Sequence, residues 1–382
     1  MASMCNYIFI LIALLVIISC EKKRPQVTSV SNAEQATELH YAKGFKVLYN
    51  EDGTKSVDVL YPFQGATSGY KYLLVPKDNK VPAHSGDVRV IRTPVTSIVC
   101  TSTTHIPLLD YLNETDKLVG FPTTDYISSV KARKHIDDGK VQELGVDKGL
   151  NLERIAMLSP DMVMGYSMNS DYGQFKKIED LNVPVVLNGE YLEKHPLGRA
   201  EWIKFMALFF NKEKAADSVF REIERAYLTT KSATDSLSEK PTVLSGIVYG
   251  DAWFLPGGEN YAARLLRDAG CQYLWADDST NGFLELSFES VYEKAHDADL
   301  WIGVGSFSNL KEIKNADERY TNFKPFRTGE VYTSNLRQGA KGGSEYLELG
   351  YLRPDIILKD LVRLAHPHLM QEHELYFHKK LQ

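Results

Sequence analysis

The sequence predicts an α/β protein built as two Rossmann-like lobes joined by a long α-helix. Three observations carry that reading. Short β-branched strands alternate with helices of eight to fifteen residues, the pattern of parallel sheets. The order of these elements repeats after the middle of the 382-residue chain. Between the copies lies a stretch, 196–240, whose apolar residues recur at helical spacing.

That middle stretch reads as two helices in series. In the first, Trp202, Phe205, Met206, Phe209 and Phe210 fall three to four positions apart. Asn211 interrupts and is a candidate cap for the second helix. Ala216, Val219, Phe220, Ile223, Ala226 and Tyr227 then make a second stripe between charged residues. A helix from 212 to about 237 would span roughly 35–40 Å at 1.5 Å per residue. Pro241 ends it.

Before this strut, Phe45 to Tyr49 and Ser56 to Tyr61 read as a β-hairpin turning at Gly53, and Tyr70 to Val75 as a third strand. A β-branched run ends at Cys100 and opens into Thr101-Ser-Thr-Thr104, followed by a short helix from His105. Further strands are expected at Lys117 to Phe121, Met162 to Met164 and Leu181 to Leu187, with a helix from Asn151 to Leu158. After the strut the series restarts. Strands are expected at Pro241 to Tyr249, Cys271 to Trp275, Leu300 to Ile302 and Val331 to Thr333, and helices at Tyr261 to Asp268, Phe288 to Tyr292 and Arg353 to Leu364. One segment pair makes the repeat concrete. Leu150-Asn-Leu-Glu153-Arg-Ile155 with Asp161 matches Leu286-Ser-Phe-Glu289-Ser-Val291 with Asp299. Two lobes on a rigid helix leave a cleft facing the carboxyl ends of both sheets, where open α/β sheets bind ligands.

The composition is that of a globular chain, 43% hydrophobic and 25% charged, and the net charge of −6 argues against a nucleic-acid surface. Residues 7 to 19 form an apolar run too short for a bilayer span and suited to a signal peptide. It ends in Ile17-Ile-Ser-Cys20, which resembles a bacterial lipobox. By that resemblance residues 1–19 are removed and Cys20 is lipidated, with acyl chains as the membrane anchor. The leader lacks the usual Lys or Arg before the apolar run, so a retained anchor or a later start stays open. Residues 20–40 read as a lipidated tether, 41–195 as the N-terminal lobe with its hairpin extension, 196–240 as linking helices and 241–382 as the C-terminal lobe. Cys100 and Cys271 fall in opposite halves, and a disulfide would lock the halves together. Two free, buried thiols are expected.

The lipobox, Asn151-Leu-Glu-Arg-Ile with Ser159-Pro-Asp-Met-Val, the helical strut and Phe288-Glu-Ser-Val resemble the substrate-binding lipoproteins of bacterial ABC importers. The resemblance is to the iron-siderophore and cobalamin class, whose lobes are linked by a helix. Arg353-Pro-Asp-Ile-Ile-Leu-Lys-Asp-Leu with His366-Pro-His resembles versions from the Bacteroides group. It covers roughly residues 90 to 370. It implies a monomeric, lipid-anchored periplasmic protein, with surface exposure also possible, and no cofactor of its own. Its partners would be a permease with its ATPase, and its cargo an iron chelate or corrinoid. In that family one glutamate per lobe meets arginines of the permease, and the matching positions are Glu153 and Glu289. Either also suits the positive end of a helix.

For the ligand, position in the loops nominates Thr101, Ser102, Thr103, Tyr166, Ser167, Tyr191, Trp253 and Phe307, the aromatics for stacking or for plain loop packing. Arg337, in a Gly/Ser-rich stretch, is a candidate for carboxylate or catecholate oxygens or a solvated side chain. His84 and His105 are read as structural, and no metal is expected to be held directly. An enzyme of the chelatase type shares such architecture. Against it, the sequence has no HExxH, P-loop, GxGxxG or nucleophile elbow; Asn169 stands where the elbow after Ser167 needs glycine.

Overall fold

Two parallel sheets with the same strand order form the frame. In the computed structural model, which describes residues 35–36, 38–146 and 149–382, the first runs Val185–Leu187, Met162–Gly165, Ile98–Cys100, Leu118–Phe121, Gln142–Glu143. The second runs Val331–Thr333, Leu300–Ile302, Thr242–Ser245, Gln272–Tyr273, with Lys379–Lys380 added antiparallel beyond Val331–Thr333. In both sheets the first strand of the lobe lies between the second strand on one side and the two later strands on the other. The leader and Cys20 lie outside the described residues.

Alternation explains why the first sheet is covered on both faces. Ile98, Cys100, Met162, Met164 and Val186 point into the large core that continues through the linking helices. Val99, Val163, Val185 and Leu187 point the other way, onto Ile155, Phe175 and Ile178. Near-continuous apolar strands of this kind are the mark of a parallel sheet packed by helices on both sides. Asp161 and Asp299 clamp the two copies in the same way. Each accepts from the backbone N–H and the hydroxyl of one threonine beside its lobe's first strand, Thr96 at 2.7 Å for both bonds and Thr242 at 2.9 and 2.8 Å.

The linking helices are Pro196–Leu208 and Glu213–Ser232. The second is shorter than expected, 20 residues or roughly 30 Å. Asn211 does not cap it by its side chain; it takes a left-handed backbone, φ 56°, and the side-chain oxygen receives Lys55 instead. Nor is the first helix a bare strut. Every residue of Pro196–Leu208 except Arg199 is buried, because a second layer covers it. That layer is a five-stranded sheet, Gln35–Ala36, Phe45–Tyr49, Lys55–Val59, Tyr70–Pro76 and Val88–Thr93 in that order. The expected hairpin and third strand belong to it, and the strand Val88–Thr93 is an addition to the expected set.

Buried carboxylates fasten this layer. Glu201 accepts the backbone N–H groups of His40, Tyr41 and Ala42 at 3.1, 2.8 and 2.8 Å and pairs with Lys204 at 3.0 Å. Glu193 accepts from Lys43, Gly44 and the Trp202 indole at 2.8, 2.8 and 3.0 Å. A carboxylate out of water is tolerated only when its oxygens are satisfied in this way.

In the second lobe the expected strand from Pro241 to Tyr249 breaks at Gly246. Its φ of +79° and the 1.9 Å that a Cβ would leave to the Phe254 carbonyl oxygen admit only glycine. Beyond it Ile247–Tyr249 joins Ala252–Pro256 and Phe283–Leu286 in a separate antiparallel sheet. Cys100 and Cys271 are free and buried.

Candidate functional site

The site is built from loops at the carboxyl ends of the two parallel sheets. On one flank the lobes meet where the loop after Leu118–Phe121 touches the loop after Val331–Thr333. Glu348 accepts the backbone N–H groups of Ser128 and Ser129 at 2.7 and 2.8 Å, and Gly343 packs against the Tyr126 backbone too closely for any Cβ. On the other flank Lys194 pairs with Glu259. There Arg199, tied to the Tyr191 carbonyl at 2.8 Å, lies 3.9 and 4.4 Å from the ring centres of Tyr261 and Tyr351. The loops that leave the middle strands of each sheet lie between these bridges.

From the first lobe these loops bring Thr101 to Thr104 and Tyr166 to Met168. Thr101 is buried, and its hydroxyl accepts the Tyr166 N–H at 3.1 Å, so it ties two loops together and is not open to a ligand. Ser102 and Thr103 are half-buried at the surface of the cleft. Ser102 lies 2.8 Å from the Thr104 hydroxyl, which in turn donates to Glu190. Tyr166 and Tyr191 meet edge to face at 6.3 Å, and the Tyr191 hydroxyl donates to the Ser167 carbonyl at 2.7 Å. Ser167 turns its own hydroxyl to the Asn169 carbonyl at 2.7 Å.

Glu190 escaped the sequence reading. Burial pushes its carboxyl up from the ordinary range, against the Thr104 hydrogen bond that lowers it. Nothing local in Gly189-Glu-Tyr-Leu announces this; the contact spans 86 positions.

Trp253, like Thr101, is turned away from any ligand. Trp253 is wholly buried. It sits on Ala252–Pro256, where strand alternation turns it inward to stack on Trp301 at 5.5 Å and donate to the Ser245 carbonyl at 3.0 Å. The expected loop is a strand, and its period of two sends the indole to the core. Arg337 is exposed, but it lies over the Tyr376 ring at 4.1 Å in a groove of about 590 Å³ at the first flank. Asp110, Glu345 and Glu348 also line that groove. Phe307 is half-buried, packed on the core, with its carbonyl 3.4 Å from the Asn335 amide.

Other large side chains, outside the nominated set, are exposed on this side of both lobes. Tyr126, Met168, Tyr249 and Leu336 are large, apolar and exposed, Tyr249 at 80%. All four lie in or at the loops leaving the carboxyl edges, two from each lobe.

His105 is buried, neither ring nitrogen has a partner, and burial lowers its pKa to about 3. It is therefore neutral. His84 is exposed, its Nδ1 3.0 Å from the Pro82 carbonyl. Among the described residues no three His, Cys, Asp or Glu side chains gather as a metal site.

The two acids of the repeat take equivalent places. Asn151 and Ser287 cap short helices, accepting from Arg154 N–H and Ser290 N–H, and Glu153 and Glu289 are the second residue of each. Both are exposed. Glu289 meets Arg319 at 3.1 Å, and Arg319 is also held by Asp317 at 2.7 Å and lies over Phe288.

A family model described as periplasmic binding protein matches residues 98–335, more than half of the chain. The chain belongs to the periplasmic binding protein family. It is similar to an uncharacterized lipoprotein of Methanocaldococcus jannaschii, 27% identical over 90% of this chain and 85% of the relative. Among solved structures it resembles an ABC transporter substrate-binding protein from Listeria monocytogenes, with TM-score 0.53 and 20% identity over 72% of this chain and 99% of that one. A periplasmic haem-binding protein of Vibrio cholerae matches with TM-score 0.54 and 14% identity, over 69% and 99%. The five-stranded layer of this binding protein precedes the matched residues. Its family is one of solute-binding proteins, not enzymes.

Proposed function

We propose that this binding protein is the substrate-binding component of an ABC importer, which captures an iron-siderophore or related chelate and delivers it to a membrane permease. The observation that carries the reading is the placement of Glu153 and Glu289. Two exposed carboxylates occupy the same position of the same helix in two lobes of the same strand order. Such a pair offers a permease dimer one acid per subunit, and paired arginines there would fix the register of docking. The pair of Glu289 with Arg319 is exposed and screened by solvent, so a permease arginine can replace it.

Cargo would rest between the lobes, on Tyr126, Met168, Tyr249 and Leu336. Such a surface suits a ligand with apolar or aromatic faces, an iron-siderophore first and cobalamin or haem as alternatives. Anchoring through Cys20 would hold the protein at a membrane facing the periplasm. The lipoprotein relative supports a lipid anchor, and the family supports the periplasmic side.

The test is uptake of the chelate by cells carrying Glu153→Arg, Glu289→Arg or both. Uptake is expected to fall at least tenfold in the double variant, with binding in solution unchanged. Full uptake by the double variant would refute docking. Native mass spectrometry and the visible spectrum of protein purified from its host identify the cargo, since ferric chelates, corrins and haem absorb differently.

A further inference from the structure

The five-stranded layer does more than cover the linking helix. Its loop after Lys55–Val59 leans on the cleft flank: the Gln64 N–H donates to the Tyr191 hydroxyl at 3.2 Å, and Gly189 packs within 2.5 Å, measured from a Cβ built on it, of the Tyr61 carbonyl oxygen. Together with the turn entering Pro196–Leu208 and Asn281 of the second lobe, this loop encloses a cavity of about 600 Å³. That lies within the range of small-molecule pockets, roughly 300–1,000 Å³. It is separate from the middle of the cleft, and most of its wall comes from residues 40–66, ahead of the part that matches the family.

The lining has a definite chemistry. Tyr41, Tyr61, Phe63 and Leu192 give flat apolar walls. Lys43 and Lys194 stand at the rim, both exposed, and Lys194 is paired with Glu259 just outside the wall. Of the described residues in the wall only Glu193 carries a carboxylate, and its Oε1 is engaged by three N–H donors. His195 is neutral, since burial lowers its pKa to about 4. Its Nδ1 accepts the Leu197 N–H at 3.0 Å, which leaves the proton on Nε2 as a donor. Aromatic walls beside the Lys43 ammonium, with a second ammonium held only by an exposed ion pair, suit an arene that carries an anion.

We propose that this pocket binds an aromatic acid, either free or as one arm of a larger chelate whose centre lies in the cleft. The ring packs on Tyr61 and Phe63, and the anion meets Lys43 and takes the place of the exposed Glu259 on Lys194. This goes beyond the transport reading and does not depend on docking to a permease.

The experiment uses the full-length protein and two probes, 2,3-dihydroxybenzoate and an iron-loaded tris-catecholate chelate. Binding is measured by equilibrium dialysis and located by hydrogen–deuterium exchange. At least one probe is expected to bind saturably and protect residues 61–66 and 192–195, with affinity falling fivefold or more in Phe63→Ala and in Lys43→Ala. Protection by the free acid at the pocket alone identifies a free acid as the ligand. Protection by the chelate at both the pocket and residues 101–104 and 166–168 identifies an arm. The proposal is overturned if neither probe protects the pocket, or if both variants bind as the parent does. Failure of the chelate alone, with the free acid bound, counts against the iron-chelate cargo and leaves this site standing.

Discussion

Replacing Trp253 by alanine separates a core indole from a ligand platform. The side chain is wholly buried and surrounded by Trp301, Tyr320, Phe288 and Phe323 with ring centres 5.5 to 5.8 Å away. An aromatic side chain of this kind removes about 150–250 Å² from water. At about 25 cal/mol per Å² that is roughly 4–6 kcal/mol, an upper bound because an unfolded chain already hides part of its surface. Losing the indole N–H also strands the Ser245 carbonyl, while partial collapse of the cavity recovers some of the cost. Large aromatic-to-alanine changes in cores cost about 3–5 kcal/mol, and about 4 kcal/mol is expected here. Urea unfolding followed by far-ultraviolet circular dichroism reads this as a lower midpoint at unchanged slope. Ligand affinity, measured well below the new midpoint, is expected to stay within about twofold of the parent, since no cleft surface changes. A variant that loses under about 1 kcal/mol but binds its chelate tenfold more weakly would refute the assignment and return Trp253 to the cleft.

Other outcomes rest on buried titratable groups. Burial pushes Glu348 up from 4.5 to about 7, with Asp110 adding to it and the Ser128 and Ser129 N–H groups opposing. The raised carboxyl favours the folded state fully below the ordinary value, and that contribution fades as pH rises through 7. The stability advantage of the parent over Glu348→Gln is therefore expected to shrink by up to about 3 kcal/mol between pH 4.5 and pH 8, and a constant difference in urea titrations would contradict the burial. Asp360 is buried too, yet the bonds from His373 and His378 and the Tyr376, Phe377 and His378 N–H groups outweigh burial and hold its pKa well below the ordinary range. Asp360→Asn is expected to cost about 3–5 kcal/mol and to raise hydrogen exchange at residues 373–378; an unchanged midpoint would show that these bonds are dispensable. Burial raises both thiols, Cys271 to about 12 and Cys100 further. Iodoacetamide at pH 8 is expected to label neither in the folded protein and both in urea, as counted by mass spectrometry.

Periodicity and repetition fixed much of this protein before folding entered. Tyr261–Asp268, Leu300–Ile302 and Val331–Thr333 stand where the pattern put them, because each is bounded by its own cap or turn. Glu153 and Glu289 were legible for the same reason, since a cap, an acid and an aliphatic recur at one spacing in both copies. Features that depend on partners distant in sequence were not legible. Trp253 looked like a loop aromatic because its strand exists only by pairing with Phe283–Leu286. The near-complete burial of the helix Pro196–Leu208 was not legible because its covering sheet lies some 150 residues earlier, joined through Glu201. Glu190 and the aromatic pocket depend on segments that meet only in three dimensions. Local pattern decides which segments become helix or strand, since it reports the next turn or the next pleat; which face is finally buried is decided by the neighbour that arrives to cover it.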